Sequence, residues 1–178
     1  MVVAGILGWV NSITKDKIAA ITWEKTVTAM KEVISADDFS DAMDLTDDMT
    51  VAATAQGGTL AAVYQAQSGG QPIGYAINVE SSGSQGTISM MVGIDMDGAV
   101  TGVSIVTNSE TSGIGSKVMG NEPLANGTGV LDQFIGKSAA DGVLSVGSNV
   151  DAITGATVST KGVTTGVNAA LAVAGVIG

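Results

Sequence analysis

The sequence predicts an α+β fold, an antiparallel sheet flanked by helices. Three observations predict it. Four short stretches rich in β-branched residues follow one another between turn signals, with no helix-length gap between them. A strong helical periodicity closes the chain, and a second helical pattern precedes the strands.

The first helical pattern runs from Lys15 to about Ile34, with Ile18, Ile21, Val27, Met30, Val33 and Ile34 as its apolar positions. It leads into ADDFSDAMDLTDDMT. Asp38, Asp41, Asp44 and Asp47 recur there at every third residue, but the Gly and closing Glu of an EF-hand loop are missing. A solvated acidic segment is the expectation, and no metal ligand is assigned.

The strands are Thr59–Gln67, Pro72–Glu80, Gly86–Asp95 and Ala99–Thr107. Ser68-Gly69-Gly70, Ser81-Ser82-Gly83 and Asp97-Gly98 separate them, and Asp97-Gly98 is a hairpin signal. Short links imply antiparallel neighbours. No G-x-G-x-x-G follows a strand, which argues against a Rossmann site. Asn121–Lys137 reads as a loop with a short helix from about Val130, and Leu144–Val150 as a further strand. Met90, Met91 and Met119 are read as core.

The last helix opens at DAITGATVSTK, residues 151–161, and carries Val163, Val167, Leu171, Ala174 and Ile177 on one face. Its entrance has free N–H groups and the positive end of the helix dipole, a natural anion site. Gly155 permits close backbone approach, and Thr154, Thr157 and Ser159 can donate to phosphate oxygens. By itself such a turn is usually a helix cap.

Composition narrows the chemistry. The 178 residues suit one domain plus an appendage. The net charge of −10 disfavours nucleic acid and anionic lipid headgroups as partners. The chain has no Cys and no His, so thiol nucleophiles, histidine acid–base catalysis, iron–sulfur ligation and the usual zinc or haem sites are excluded. Any redox work falls to an organic cofactor. No catalytic residue is assigned.

Met1–Val10 reads MVVAGILGWV, too short to span a bilayer, which takes about 20 residues. It lacks the basic start and small-residue cleavage site of a signal peptide. It is either an apolar terminus or the trailing half of a membrane helix, with Trp9 at the interface and Lys15 and Lys17 beyond it.

The string Asp151–Thr160 resembles the flavinylation motif (S/T)-G-A-T-x-(S/T) of the FMN-binding domain family of the RnfG and NqrC type. In that family the Thr closing G-A-T carries FMN through a phosphoester bond, installed by a flavin transferase that uses FAD. The resemblance puts covalent FMN on Thr157, with Thr154, Gly155, Ala156, Ser159 and Thr160 around it. Asp151 is then a recognition or turn-forming residue, the transferase supplying base and metal.

A second stretch, NSETSGIGSKVM, would alone be a connecting turn. It is similar to the family string E-T-P-G-L-G-x-K at Glu110, Thr111, Gly113, Gly115 and Lys117. Ser112 stands where the family has Pro, removing a fixed φ, and Ile114 where it has Leu. The family loop lies against the flavin, which implies cofactor contacts for Glu110, Thr111, Gly113, Ile114, Gly115 and Lys117. The segment GILGWVNSITKDKIA also resembles the exit from the single N-terminal membrane helix of RnfG-type proteins.

The implied organisation is a membrane-helix end at 1–14, a helical and acidic connecting segment at 15–50 and an FMN-binding domain at 51–178. The implied function is electron transfer by covalent FMN in an Rnf-type ferredoxin:NAD oxidoreductase that moves Na+ or H+. The chain would act as a subunit of that translocase and not alone. Partners would be the other membrane, iron–sulfur and flavin subunits, with the flavin domain outside the cytoplasm on a single-pass anchor. The short chain with brief loops favours the RnfG type over the NqrC-type quinone reductase subunit. Two rival readings are a membrane-anchored stand-alone FMN carrier and a non-enzymatic surface or pilin-like protein.

Overall fold

The computed structural model describes residues 23–110 and 113–177. The expected membrane-helix end at 1–14, the start of the first helix and Thr111 lie outside the described residues. The first helix, α1, covers 23–33 of the described chain. It is followed by β1 (Asp38–Phe39), α2 (Asp47–Ala55), β2 (Thr59–Ser68), β3 (Gln71–Ser82), β4 (Thr87–Asp95) and β5 (Val100–Asn108). Then come α3 (Ile114–Met119), single 3-10 turns at Asp132–Phe134 and Ala139–Asp141, and α4 (Thr157–Ile177).

The five strands form one sheet in chain order, every neighbouring pair antiparallel. The α+β expectation holds, and the four expected strands appear with ends shifted by two residues at most. Turn chemistry explains the agreement. Gly69 and Gly70 take φ of 57° and 77° between the paired Ser68 and Gln71, a conformation that glycine adopts without strain. At the Asp97-Gly98 turn, the Asp95 carboxylate accepts from the N–H of Asp97 (3.0 Å) and Ala99 (2.9 Å).

Helices cover both faces of the sheet. On one face, Val163, Val167, Ala170 and Val173 of α4 pack with Ile77, Val79, Ile88, Met90 and Val92. Burying each Val, Ile or Met side chain of this set is worth about 1.5–3 kcal/mol. Gly166 makes room for the Met90 side chain, and Gly162 for the Ser82 carbonyl. By length and composition α4 could cross a membrane, yet Ser81 donates to the Gly162 carbonyl at 2.8 Å and more than half of the helix's most apolar window is buried. It is a core helix.

On the other face, Met30 and Val33 of α1 and Ile34 just beyond it pack with Tyr64, Ala66, Ala76 and Met91. Gly93 and Gly102, paired across β4 and β5, leave the backbone of Val33 in direct contact with the sheet. Thr101 donates to the Val33 carbonyl at 2.6 Å and locks that contact. With helices on both sides, β4 is buried along nearly its whole length, which is why apolar side chains occupy both of its faces from Met90 to Ile94.

The structure departs from expectation in three places. Leu144–Val150 is not a strand: a turn at Gly147–Asn149 leaves only a bridge between Val146 and Val150. Both backbone groups of Leu144 are taken by the Asn168 side chain, at 2.9 Å each, so no ladder can form through it. The helix expected from about Val130 is one 3-10 turn, because Gly136 (φ 81°) returns the chain to β5 through its N–H on the Val100 carbonyl (2.8 Å). The end of the acidic stretch starts α2, where Thr46 caps the Met49 N–H at 3.3 Å and Asp47 and Asp48 complement the helix dipole. Among the described residues, no group of three acidic, His or Cys side chains is placed to hold a metal.

Candidate functional site

The site is built at the entrance of α4. Residues 151–156 reach it as a loop fixed at both ends. At its start, the Gln133 side chain accepts from the Asp151 N–H (2.8 Å) and donates to the Asp151 carbonyl (3.0 Å). At its end, the Ala156 N–H bonds the Ile153 carbonyl (2.8 Å), with Gly155 at φ 83°. The first intrahelical bond runs from the Thr160 N–H to the Ala156 carbonyl at 2.9 Å. The N–H groups of Thr157, Val158 and Ser159 therefore have no acceptor within the helix.

The residues of the motif divide by face. Thr154, Gly155, Thr157 and Val158 are exposed, whereas Ala156, Ser159 and Thr160 are buried. Thr160 donates its hydroxyl to the Ala156 carbonyl at 3.0 Å. Ser159 donates its own to Glu110 Oε2 at 2.7 Å. Thr154 and Thr157 are thus the motif's exposed hydroxyls.

The second stretch closes on the first. Ile114 lies over Gly155, where a Cβ would come within 3.1 Å of Ile114 Cδ1. Glu110 Oε1 accepts from the backbone N–H of Ser84 (2.6 Å) and Gln85 (3.1 Å) in the β3–β4 turn, while Oε2 takes the Ser159 hydroxyl. Gly113 (φ 146°) immediately precedes α3, and Ser116 bonds both its carbonyl (2.5 Å) and its N–H (3.3 Å). Lys117, a candidate to oppose an anion, pairs with Glu122 at 3.5 Å, both about half exposed. The methionines read as core are so: Met90 and Met91 are fully buried and Met119 packs against the core.

Sequence reasoning missed two contributors. Gln133 stands on a 3-10 turn far upstream with no local signal. The turn signal between β3 and β4 is Ser81-Ser82-Gly83, whereas the contacts come from Ser84 and Gln85 just after it.

Chemically, the surface offers an exposed secondary hydroxyl at the positive end of a 21-residue helix. Negative charge there is favoured by about 0.3–1 kcal/mol. Ile114 and Val158, about half exposed, give it apolar neighbours. Such a place can receive an anion.

A family model described as FMN-binding domain matches residues 83–172, from the β3–β4 turn through most of α4. The G subunit of the Na(+)-translocating ferredoxin:NAD(+) oxidoreductase complex of Acetobacterium woodii is 33% identical over 183 residues, covering 97% of this chain and 84% of that protein. The chain belongs to the FMN-binding domain family. The matched span of this FMN-binding domain holds both motif stretches and the Glu110 contacts between them. The G subunit of the ion-translocating oxidoreductase complex of Methanosarcina acetivorans is 30% identical, over 96% of this chain and 86% of its own length. The G subunit of the proton-translocating ferredoxin:NAD(+) oxidoreductase complex of Clostridium ljungdahlii is 36% identical, over 61% of this chain and 57% of its own.

Proposed function

We propose that this chain is the FMN-carrying electron-transfer subunit of an ion-translocating ferredoxin:NAD oxidoreductase complex, with FMN esterified to Thr157. The observation that carries the reading is the exposed Thr157 hydroxyl in T-G-A-T-V-S at the entrance of α4, beside the second motif stretch. Relatives that belong to such complexes and match most of this chain support the choice of complex.

Attachment is a phosphoryl transfer from FAD. The Thr157 Oγ–phosphorus bond forms as the pyrophosphate bond breaks, AMP departs, and the hydroxyl proton goes to the transferase. Free N–H groups at the helix entrance and the Thr154 hydroxyl would hold the phosphate oxygens. FMN supplies one- and two-electron transfer. The chain positions it and offers an apolar surface at Ile114 and Val158. Gly155 and Gly115 let the two stretches come together. The reading includes a single-pass membrane anchor in the N-terminal stretch, a flavin domain outside the cytoplasm, and contact with the membrane, iron–sulfur and flavin subunits.

Mass spectrometry of protein co-expressed with a flavin transferase tests it. The expected result is FMN less one water on the peptide containing Thr157, absent from Thr157→Val. An unmodified wild-type peptide in the presence of active transferase overturns the covalent assignment.

A further inference from the structure

We propose that Glu110 is a positioning residue that clamps the flavin-bearing helix entrance onto the β3–β4 turn, and that it makes no contact with the cofactor. The inference rests on the covalent reading only for its functional consequence. Three donors engage both carboxylate oxygens: the N–H groups of Ser84 and Gln85 on one and the Ser159 hydroxyl on the other. A carboxylate is acceptor-only, so a further electronegative neighbour such as an FMN phosphate would be repelled there.

The glycines explain the rest of the string. A Cβ on Gly83 would collide with Glu110 Oε1, and a Cβ on Gly115 with Oε2. A side chain at either position would push the carboxylate out of its socket. Gly115 also lies close to Ser159, where its Cβ would come within 3.1 Å of the hydroxyl oxygen. In Glu110-Thr-x-Gly-x-Gly115, the first and last residues are therefore matched to each other. The Glu110 N–H bonds the Asn108 side chain at 3.1 Å, which anchors the clamp to the end of β5. Ser159 lies two residues beyond Thr157, so the clamp sets where the attachment hydroxyl stands.

The experiment compares wild type, Glu110→Ala, Glu110→Gln and Ser159→Ala with Ile77→Val, a core change remote from the entrance. Hydrogen exchange is read on peptides covering 154–160 and 83–86, with no flavin present. The initial rate of FMN loading on Thr157 is read by mass, well below each variant's Tm. In Glu110→Ala both segments exchange at least about tenfold faster, the factor expected for losing one hydrogen bond to a charged group. Loading slows by a similar factor, whereas Ile77→Val leaves both readouts at wild-type values. Glu110→Gln rescues, because its carbonyl keeps the two N–H donors and its amide can donate to Ser159 Oγ. It also leaves the visible spectrum of the loaded flavin unchanged. Should Glu110→Ala fail to fold, Ser159→Ala, which removes one partner only, carries the comparison. Unchanged exchange at 154–160 in the clamp variants, or a flavin spectrum altered by Glu110→Gln, overturns the proposal. A wild-type chain that takes up no flavin sinks the covalent reading, while the exchange data still decide on Glu110.

Discussion

Gln133 holds the backbone of Asp151 from both sides, accepting its N–H at 2.8 Å and donating to its carbonyl at 3.0 Å. The same amide group donates to the Val130 carbonyl at 2.8 Å. One side chain thus ties the loop that precedes Thr157 to the 3-10 turn at Asp132–Phe134.

Gln133→Ala removes all these bonds and should destabilise the fold by about 1–3 kcal/mol. Gln133→Glu keeps an acceptor for the Asp151 N–H but sets a carboxylate against two carbonyls, and should be no better than Ala. Chemical denaturation of the three proteins checks the order.

Gly93→Ala should be destabilising although alanine is small. Its Cβ would meet the carbonyl group of Val33, so α1 must lift from the sheet. The expected cost is about 1–3 kcal/mol. Thr101→Val, which removes the hydroxyl bonded to that carbonyl, should loosen α1 without a clash. Hydrogen exchange over residues 27–34 should rise in both, and most in Gly93→Ala.

Lys117→Gln should leave stability nearly unchanged. Its pair with Glu122 is about half exposed, and such pairs contribute about 0–1 kcal/mol. An unchanged Tm is expected. A Tm lowered by many degrees would mean that Lys117 holds more than this ion pair.

The acid limb has a local marker at Asp37. The Ser68 hydroxyl and then the Gly69 N–H hold its carboxyl below the ordinary value of 3.8. A depressed folded-state pKa means the clasp stabilises above about pH 3.8 and is lost as pH falls through the lower folded value. NMR titration of the Asp37 carboxyl should give a midpoint below 3.8, and Ser68→Ala should move it upward.

Local signals made much of the fold legible. Paired glycines at 69–70, Asp97-Gly98 and the spacing of Val163, Val167 and Leu171 each specify backbone conformation or burial from a few neighbours. Thr46-Asp47-Asp48 is a readable cap and start for α2, masked by the acidic residues that precede it. Leu144–Val150 misled because apolar spacing alone cannot reveal that Asn168 occupies the backbone of Leu144.

At the site, DAITGATVSTK by itself determined a helix entrance lined with hydroxyl side chains and an anion-favouring end, since helix geometry and glycine freedom act over a few residues. The tertiary structure alone decided which of its hydroxyls face solvent. Thr154 and Thr157 do, while Thr160 bonds its own helix and Ser159 meets Glu110, 49 residues away in the chain. That partition depends on how α4 docks against the sheet and where the β3–β4 turn delivers Ser84 and Gln85. Pairings of such separation are set by packing of the whole domain and leave no periodicity in the sequence.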